Sequence, residues 1–281
     1  MLLRRISEKE IGRFAACLRE EERSAATIEK YRREVMRFSA WLEGREITKE
    51  LAVAYKNRLS EVRTAAGVNG AASALNAFFA FMGWQDCKLK AAKLQRRIFR
   101  EEAKELTAAE YRRLLAAAEG KRDQRLLLVM EAICSTGIRV SELRFFTVEA
   151  ARLGQVEVAN KGKTRTVFLP GKLQKLLLKY AKERGIPSGP VFVTRSGKPL
   201  DRSNIWKDMK ALCDAADVAP SKVFPHNLRH LFARTYYQLE KDIVRLADIL
   251  GHSSVNTTRI YTMESGRTHR RQLERMKLLL E

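Results

Sequence analysis

The sequence has few cysteines, few acidic side chains and no long hydrophobic run. Its four cysteines are scattered over the chain (Cys17, Cys87, Cys134, Cys213) and form no CxxC pair. This spacing argues against a disulfide framework or a zinc ribbon and favours a reducing cytosol. No apolar run approaches the ~20 residues that a membrane span needs. The start, Met1–Arg5, lacks the apolar core and cleavage site of a secretory signal.

The shortage of acidic residues leaves the chain strongly basic. There are 33 Asp and Glu against 54 Lys and Arg, and the formal net charge is +21. Residues 1–100 carry 21 basic and 12 acidic side chains, and the remainder carries 33 and 21. Both halves are therefore expected to contact a polyanion, because phosphate neutralisation with counterion release would use such an excess. On charge alone, binding to acidic partners or anionic lipid is the alternative.

A chain of 281 residues can form two domains, each with its own core. The first 86 residues predict a small helical domain of about four helices. Ser7 and Glu10 have the spacing of a capping box, and an apolar face with helical period runs from Ile28 to Leu42. Further helical patterns cover Leu51 to Leu59 and the residues after Asn69. Aromatic residues at helical spacing are predicted to form the core and not to stack on bases: Tyr31, Phe38, Trp41, Phe78 and Phe79.

A basic segment follows this domain and is interpreted as an interdomain linker. It contains six basic residues and no acidic one: Lys88, Lys90, Lys93, Arg96, Arg97 and Arg100. Such a run is either a solvated segment or a contact to a phosphate backbone, and the sequence leaves both open. The predicted boundaries are 1–86 for the helical domain, 87–104 for the linker and 105–281 for the second domain.

The second domain is predicted to be mainly α with a small antiparallel β-sheet. A capping box at Thr107 starts one helix, and the apolar stretch Leu126 to Ile133 predicts a central helix. Alternating residues 155–159 and 164–169 predict a β-hairpin with Lys161 and Lys163 near its tip, and 191–194 predict a third strand. A helix follows Pro225. Apolar residues at helical spacing predict an amphipathic C-terminal helix: Leu273, Met276 and Leu280.

Two familiar site types are excluded by their details. Gly162-Lys-Thr164 lacks the earlier glycine of a phosphate-binding loop, because position 157 is a glutamate. His226 and His230 have a spacing that can bind zinc. However, Arg229 lies between them and no nearby carboxylate completes a ligand set, so we expect no metal.

A different chemistry is indicated by a combination of residues in the second domain. Taken alone, Arg139 would form an ion pair with Glu142, one helical turn away. Taken together, two arginines, several histidines and Tyr261 can perform phosphoryl transfer without a metal. Guanidinium groups stabilise the charge on the phosphate oxygens. A tyrosine hydroxyl can attack when cations favour its anion, and Lys or His can move the protons.

These residues also carry a resemblance to a known family. Thr136-Gly-Ile-Arg139-Val-Ser-Glu142-Leu, the lysine hairpin, His226-Asn-Leu-Arg229-His230, Leu250-Gly-His252 and Thr257-Thr-Arg-Ile-Tyr261 resemble, in order and spacing, the signature motifs of tyrosine site-specific recombinases. The likeness covers nearly the whole chain. It implies a helical core-binding domain followed by the catalytic domain of that family.

The resemblance implies a role for each matching residue. Tyr261 would attack the scissile phosphate to form a 3′-phosphotyrosyl link, and Arg139 and Arg229 would clamp that phosphate. His226 would act in proton transfer and His252 would hydrogen-bond a phosphate oxygen. The hairpin lysine would protonate the leaving 5′ oxygen. The turn is one residue shorter than the common form, so Lys161 is the better match and Lys163 the alternative. Glu142 and His230 match supporting positions.

The resemblance further implies double-stranded DNA as partner, a dimer on each site, a tetrameric synapse and no cofactor, with ATP and metal not required. Accessory DNA-bending proteins or a partner recombinase would be further partners, and the location would be cytoplasmic, with the nucleoid. Because the helical domain starts almost at Met1, we expect no arm-binding domain and either a compact Xer-like recombinase or a simple mobile-element integrase. The alternatives are a type IB topoisomerase-like enzyme and a non-catalytic DNA-binding relative.

Overall fold

The computed structural model describes residues 4–93, 101–120, 124–160, 162–194, 196–263 and 266–276. The chain divides into two units, Met1–Arg96 and Arg97–Glu281. Within the described ranges, no helix combines the length and the apolar character needed to span a bilayer.

The described part of the first unit contains four α-helices. They are α1 (Glu8–Glu20), α2 (Ala25–Leu42), α3 (Lys49–Val62) and α4 (Ala65–Phe81). A serine or threonine side chain accepts a backbone hydrogen bond at the start of each helix, which satisfies a donor that the helix leaves open. The predicted capping box of Ser7 and Glu10 is confirmed. Helix α2 ends because Glu43 and Gly44 both adopt positive φ angles, of 51° and 79°.

The aromatic residues of the first unit form its core, as predicted. Phe38, Phe78 and Phe79 are completely buried, and Tyr31 and Trp41 are partly buried against the same cluster. The Phe38 and Trp41 rings stack with centroids 6.2 Å apart. These rings are therefore occupied by packing within the unit.

The second unit is mainly helical. In chain order its elements are α5 (Ala108–Glu119), α6 (Arg125–Thr136), α7 (Val148–Leu153), β1 (Gln155–Asn160), β2 (Lys163–Phe168), α8 (Gly171–Glu183), α9 (Arg202–Lys210), α10 (Pro225–Glu240), α11 (Ile243–Leu250), α12 (Val255–Thr258) and α13 (Gly266–Arg275). The predicted class, mainly α with a small antiparallel sheet, is confirmed. Helix α6 lies in the middle of the core, with Val129, Met130 and Ile133 fully buried, as its apolar sequence predicts.

The β-hairpin forms where the alternating pattern predicts it. Its two antiparallel strands pair Gln155 with Phe168 at one end and Asn160 with Lys163 at the other. Gly162, in the turn, has a φ of 74°, a conformation that favours glycine.

The predicted third strand at 191–194 is wrong. Within this segment only Val193 forms an isolated bridge, to Pro199, and the preceding Pro190 forms another to Thr147. The sheet of the described residues has two strands. The two prolines explain the difference, because proline has no N–H to donate to a strand ladder.

Candidate active site

Arg229 is the most deeply buried charged side chain in the described part of the chain, with an exposed fraction of 1%. Proline at the first position of α10 fixes the start of that helix. Arg229 Nη1 donates to the Gly137 carbonyl at 2.6 Å, and Nη2 donates to the Leu250 carbonyl at 2.7 Å. These carbonyls lie at the C-terminal ends of α6 and α11, where the helix dipole is negative.

The surroundings of Arg229 leave its positive charge available. No carboxylate among the described residues forms an ion pair with it. Burial, and then the charge of Arg139, lowers the pKa of Arg229 to about 10. The guanidinium is therefore still protonated at neutral pH, and neutral carbonyl groups hold it in place.

Arg139 belongs to a second cluster that is centred on a buried carboxylate. The predicted ion pair is present, with Arg139 Nη1 3.0 Å from Glu142 Oε1, and the Arg139 backbone N–H donates to Glu142 Oε2 at 2.9 Å. Arg139 Nη2 donates to the Gly251 carbonyl at 3.3 Å. Burial tends to raise the pKa of Glu142, but the hydrogen bonds from Arg165 and from the Arg139 backbone outweigh burial and hold this pKa at about 2.

Arg165, on β2, completes this cluster and was missed in the sequence. Its Nη1 and Nη2 donate to Glu142 Oε1 and Oε2, at 3.0 and 2.7 Å. Its Nε donates to the Ile249 carbonyl at 3.3 Å. The signal that could have found it is strand parity. Side chains two apart on a strand share a face, and Val167 is buried, so Arg165 points to the same interior side.

His252 lies beside Arg229 at the end of α11. Its Nε2 is 3.1 Å from Arg229 Nη2, and its Nδ1 is 2.8 Å from Thr258 Oγ1. Because a guanidinium only donates, Nε2 accepts, and in the neutral ring Nδ1 then carries the proton and donates to Thr258. Burial and the nearby arginines lower the pKa of His252 to about 4, so the ring is neutral at pH 7. Thr258 belongs to the motif that ends at Tyr261, but the sequence alone indicated no role for it.

Tyr261 packs against the rings of His252 and His230. It lies in a 3₁₀ turn, Arg259–Tyr261, and is 5% exposed. Its ring stacks on His252 with centroids 6.2 Å apart and meets the His230 ring edge-on at 5.0 Å. Burial raises the pKa of Tyr261, whereas the charge of Arg229, a hydrogen bond from Arg229 and the charge of Arg139 oppose that rise.

The two histidines of α10 pack edge to face, and His230 is the one that meets the tyrosine ring. His226 and His230 are one helical turn apart, and their ring centroids are 4.5 Å apart. His230 Nε2 is buried and, among the described residues, finds no hydrogen-bond partner. Burial, then His226 and Arg229, lowers the pKa of His230 to about 4. Partial burial, and then the charges of Arg229, Arg139 and Arg202, also lower the pKa of His226. His226 is nevertheless an exposed residue.

The structure thus brings together seven of the predicted site residues: Arg139, Glu142, His226, Arg229, His230, His252 and Tyr261. Lys161 lies outside the described residues, and of Lys163 only the backbone in β2 is described. Lys88, Lys90 and Lys93 are exposed residues of the first unit, while Arg96, Arg97 and Arg100 lie outside the described ranges. Chemically, the cluster presents more guanidinium than carboxylate groups, neutral imidazoles that can accept a proton, and one phenol.

Comparison with known proteins identifies the family of the chain. The profile of the Phage integrase family matches residues 104–267, and that of the Phage integrase, N-terminal SAM-like domain matches residues 11–86. The first match covers more than half of the chain and includes every residue of the cluster. The chain belongs to the phage integrase family of tyrosine recombinases.

Individual members of the tyrosine recombinases are similar over nearly the full length. Tyrosine recombinase XerD of Xanthomonas campestris pv. campestris is 31% identical, covering 93% of this chain and 89% of its own. Tyrosine recombinase XerA of Thermococcus kodakarensis is also 31% identical, covering 96% of this chain and 95% of its own. In fold, the chain is similar to a lambda integrase(75-356) dimer bound to a COC' core site, with a TM-score of 0.73 at 21% identity, covering 93% of this chain and 96% of that one.

Proposed function

We propose that this tyrosine recombinase is a site-specific DNA recombinase that cuts and rejoins duplex DNA through a 3′-phosphotyrosyl intermediate, with Tyr261 as the nucleophile. The observation that supports it best is the pairing of Tyr261 with Arg229. A buried guanidinium without a carboxylate partner is costly, and an anionic phosphate that arrives beside the phenol would supply the missing charge.

In the proposed first step, Tyr261 Oη attacks the scissile phosphorus and the bond from phosphorus to the 5′ oxygen breaks. Arg139 and Arg229 hold the non-bridging oxygens, because guanidinium groups bind phosphate with paired hydrogen bonds. The phenol proton passes to His226, and a hairpin lysine, Lys161 or Lys163, protonates the departing 5′ oxygen.

The environment of the tyrosine fits an attack that needs a base. Burial raises the pKa of Tyr261, so the phenol keeps its proton until a neutral imidazole removes it. The lowered pKa of His226 keeps that ring neutral and able to accept. Glu142 and His230 support the arrangement, and His252 donates to a phosphate oxygen once its proton is on Nε2.

In the second step, the freed 5′ hydroxyl of another strand attacks the phosphotyrosine and releases Tyr261. One phosphoester bond is made for each that is broken, so neither ATP nor a metal is required. We further propose that residues 1–86 bind the core site, that 87–104 link them to a catalytic domain at 105–281, and that the enzyme acts in the cytoplasm on the nucleoid.

We propose that strand exchange takes place between two sites, each bound by a dimer. The two dimers form a tetramer, and the DNA strands pass through a Holliday junction. Lambda integrase, which is similar in fold to this chain, forms a dimer bound to a core site in one solved structure and a tetramer bound to a Holliday junction in another. In this chain, Leu273 in α13 and Met276 directly after it are more than half exposed, which suits contact with a neighbouring protomer. Accessory DNA-bending proteins or a partner recombinase would act on this assembly.

The test is covalent capture of DNA in EDTA. A library of nicked suicide duplexes with varied core sequences is incubated with the wild-type chain, with Tyr261→Phe and with the control Tyr236→Phe, which alters another tyrosine packed in the same hydrophobic cluster. We expect denaturation-resistant adducts with wild type and Tyr236→Phe and none with Tyr261→Phe. Adducts with Tyr261→Phe, or none with wild type, would overturn the assignment. Plasmid relaxation without site preference would instead indicate a topoisomerase.

A further inference from the structure

Two imidazole rings contact the Tyr261 ring, and they differ in how their nitrogens are used. His252 stacks on the tyrosine with centroids 6.2 Å apart, and His230 meets it edge-on at 5.0 Å. Both nitrogens of His252 have partners, because Nε2 lies 3.1 Å from Arg229 Nη2 and Nδ1 lies 2.8 Å from Thr258 Oγ1. While these hydrogen bonds are in place, His252 has no nitrogen left to accept the phenol proton.

His230 is the other ring, and one of its nitrogens has no partner. Its Nε2 is buried, and nothing in the described part of the chain forms a hydrogen bond with it. A buried polar atom that stays unpaired costs free energy, and each such atom in a native protein calls for an explanation. A nitrogen that is kept free beside a nucleophile is explained if it receives a proton during the reaction.

His230 also has the charge state that a proton acceptor needs. Burial, then the charges of His226 and Arg229, lowers its pKa to about 4, so the ring is neutral at pH 7 and offers one N–H and one lone pair. Buried backbone N–H groups without an acceptor are rarer than buried acceptors without a donor, and the same preference places the lone pair on Nε2. An anionic phosphate beside Arg229 would raise the pKa of His230, because negative charge favours the protonated ring.

His226 provides a route for the proton from His230 to solvent. The two ring centroids are 4.5 Å apart, and His226 is an exposed residue whereas Tyr261 is buried. Among the described residues, the histidine rings that contact Tyr261 are those of His230 and His252, and His226 contacts His230. The rings of Tyr261, His230 and His226 therefore form a row that leads from the buried phenol to the surface.

We propose that His230 is a further catalytic residue, which carries the phenol proton from Tyr261 to His226. This proposal rests on the proposed function, in which Tyr261 is the nucleophile. Because Nε2 has no partner in this structure, the phenol must bring its Oη within hydrogen-bond reach of Nε2 as it turns towards the phosphate.

The proton transfers balance over the two steps of the reaction. As the bond from Tyr261 Oη to phosphorus forms, the Oη–H bond breaks and His230 Nε2 takes the proton. The resulting imidazolium loses its Nδ1 proton to His226, which exchanges it with solvent. In the second step each transfer runs in reverse, so the departing Tyr261 oxygen is protonated and His230 returns to its starting form.

The experiment measures the single-turnover rate of adduct formation on a nicked suicide duplex, using the full chain with either tyrosine or difluorotyrosine at position 261. Fluorine makes the phenol more acidic than tyrosine, whose ordinary pKa is about 10, so at mildly alkaline pH the analogue ionises without a base. His230→Phe keeps an aromatic ring against Tyr261 and removes both nitrogens. With tyrosine, we expect this variant to slow adduct formation by about 100-fold or more. With difluorotyrosine, the loss should shrink to a few-fold, because no proton remains to be moved.

The control is Thr235→Val, at an exposed position of the same helix, which should leave both rates unchanged. A loss in His230→Phe that persists with difluorotyrosine would show that the ring only shapes the site, and the proposal would be overturned. If circular dichroism shows that His230→Phe does not fold, His230→Gln decides by the same two rates, because an amide cannot relay a proton in this way.

Failure of this proposal is distinguishable from failure of the proposed function. If the wild-type chain forms no adduct on any duplex, the proposed function fails, and the role of His230 fails with it. If the wild-type chain reacts through Tyr261 and His230→Phe reacts equally fast, only the role of His230 is overturned.

Discussion

Arg165 and Glu142 form a two-point ion pair, with Nη1–Oε1 and Nη2–Oε2 distances of 3.0 and 2.7 Å. Glu142 in turn holds Arg139, and Arg165 reaches the Ile249 carbonyl near the end of α11. One side chain of the β-hairpin therefore links the arginine cluster to the turn that carries His252. This link connects three segments that are far apart in sequence.

Replacing Arg165 should damage both stability and activity. Arg165→Ala leaves the buried Glu142 carboxylate with Arg139 alone, and we expect a loss of about 3–5 kcal/mol. Arg165→Lys keeps the charge but loses the planar fork, so its effect should be smaller. Urea unfolding followed by circular dichroism measures the stability, and adduct formation measures the activity. The exposed Arg152→Ala serves as control; equal midpoints for Arg165→Ala and Arg152→Ala would contradict this account.

Stability should fall with decreasing pH over two ranges, an upper one set by histidines and a lower one set by Glu142. His230 and His252 have folded pKa values of about 4 against an ordinary 6.5. The unfolded chain therefore takes up their protons first, and their contribution is lost between pH 6.5 and 4. The folded pKa of Glu142 is about 2, against an ordinary value of 4.5. Its contribution to stability is therefore complete above pH 4.5 and is lost as the pH falls towards 2. Urea midpoints measured across this range should depend less steeply on pH in the upper range for His252→Gln, which leaves the His230 contribution, and in the lower range for Glu142→Gln. A wild-type profile that stays flat from pH 7 to 4 would refute the histidine part.

Thr258 should matter through His252. Thr258→Val leaves the Nδ1–H of a partly buried ring without an acceptor, at a cost of about 1–3 kcal/mol, and we expect adduct formation to slow by about tenfold or more. Thr258→Ser keeps the hydroxyl and should retain most of the activity. The neighbouring Thr257 is exposed, so Thr257→Val is the matched control. If Thr258→Val reacts as fast as Thr257→Val, the hydrogen bond has no role in the reaction.

Gly137 should not tolerate a side chain. Its φ is 66°, and a Cβ there would lie 2.4 Å from Phe232 Cδ1, while its carbonyl holds Arg229. Gly185 has a similar φ of 65° and no atom within 4 Å of its added Cβ. Gly185→Ala should therefore cost only the backbone strain, about 1–2 kcal/mol, and Gly137→Ala clearly more. Thermal unfolding of both variants measures the difference, and equal losses would show that the contact with Phe232 relaxes freely.

Local patterns in the sequence were sufficient for most of the secondary structure. The capping box at Ser7, the helical period from Ile28 to Leu42 and the alternation of the hairpin each depend on neighbours within a few residues, and all three agree with the structure. The strand predicted at 191–194 failed because a strand needs a partner with free N–H groups. Whether such a partner lies alongside is a tertiary property.

The sequence by itself determined which chemical groups are present: two arginines, the histidines and Tyr261, in an order that resembles one family. It also indicated the ion pair of Arg139 with Glu142, because those residues are one turn apart. Only the tertiary structure decided that Arg165 shares Glu142 and that helix carbonyls hold Arg229. It also decided that Asn69 and Asn76 bind the backbone of Ala92 and Leu89. Those contacts join residues separated by 13 to 92 positions, and their distances depend on how helices pack, which no local pattern encodes.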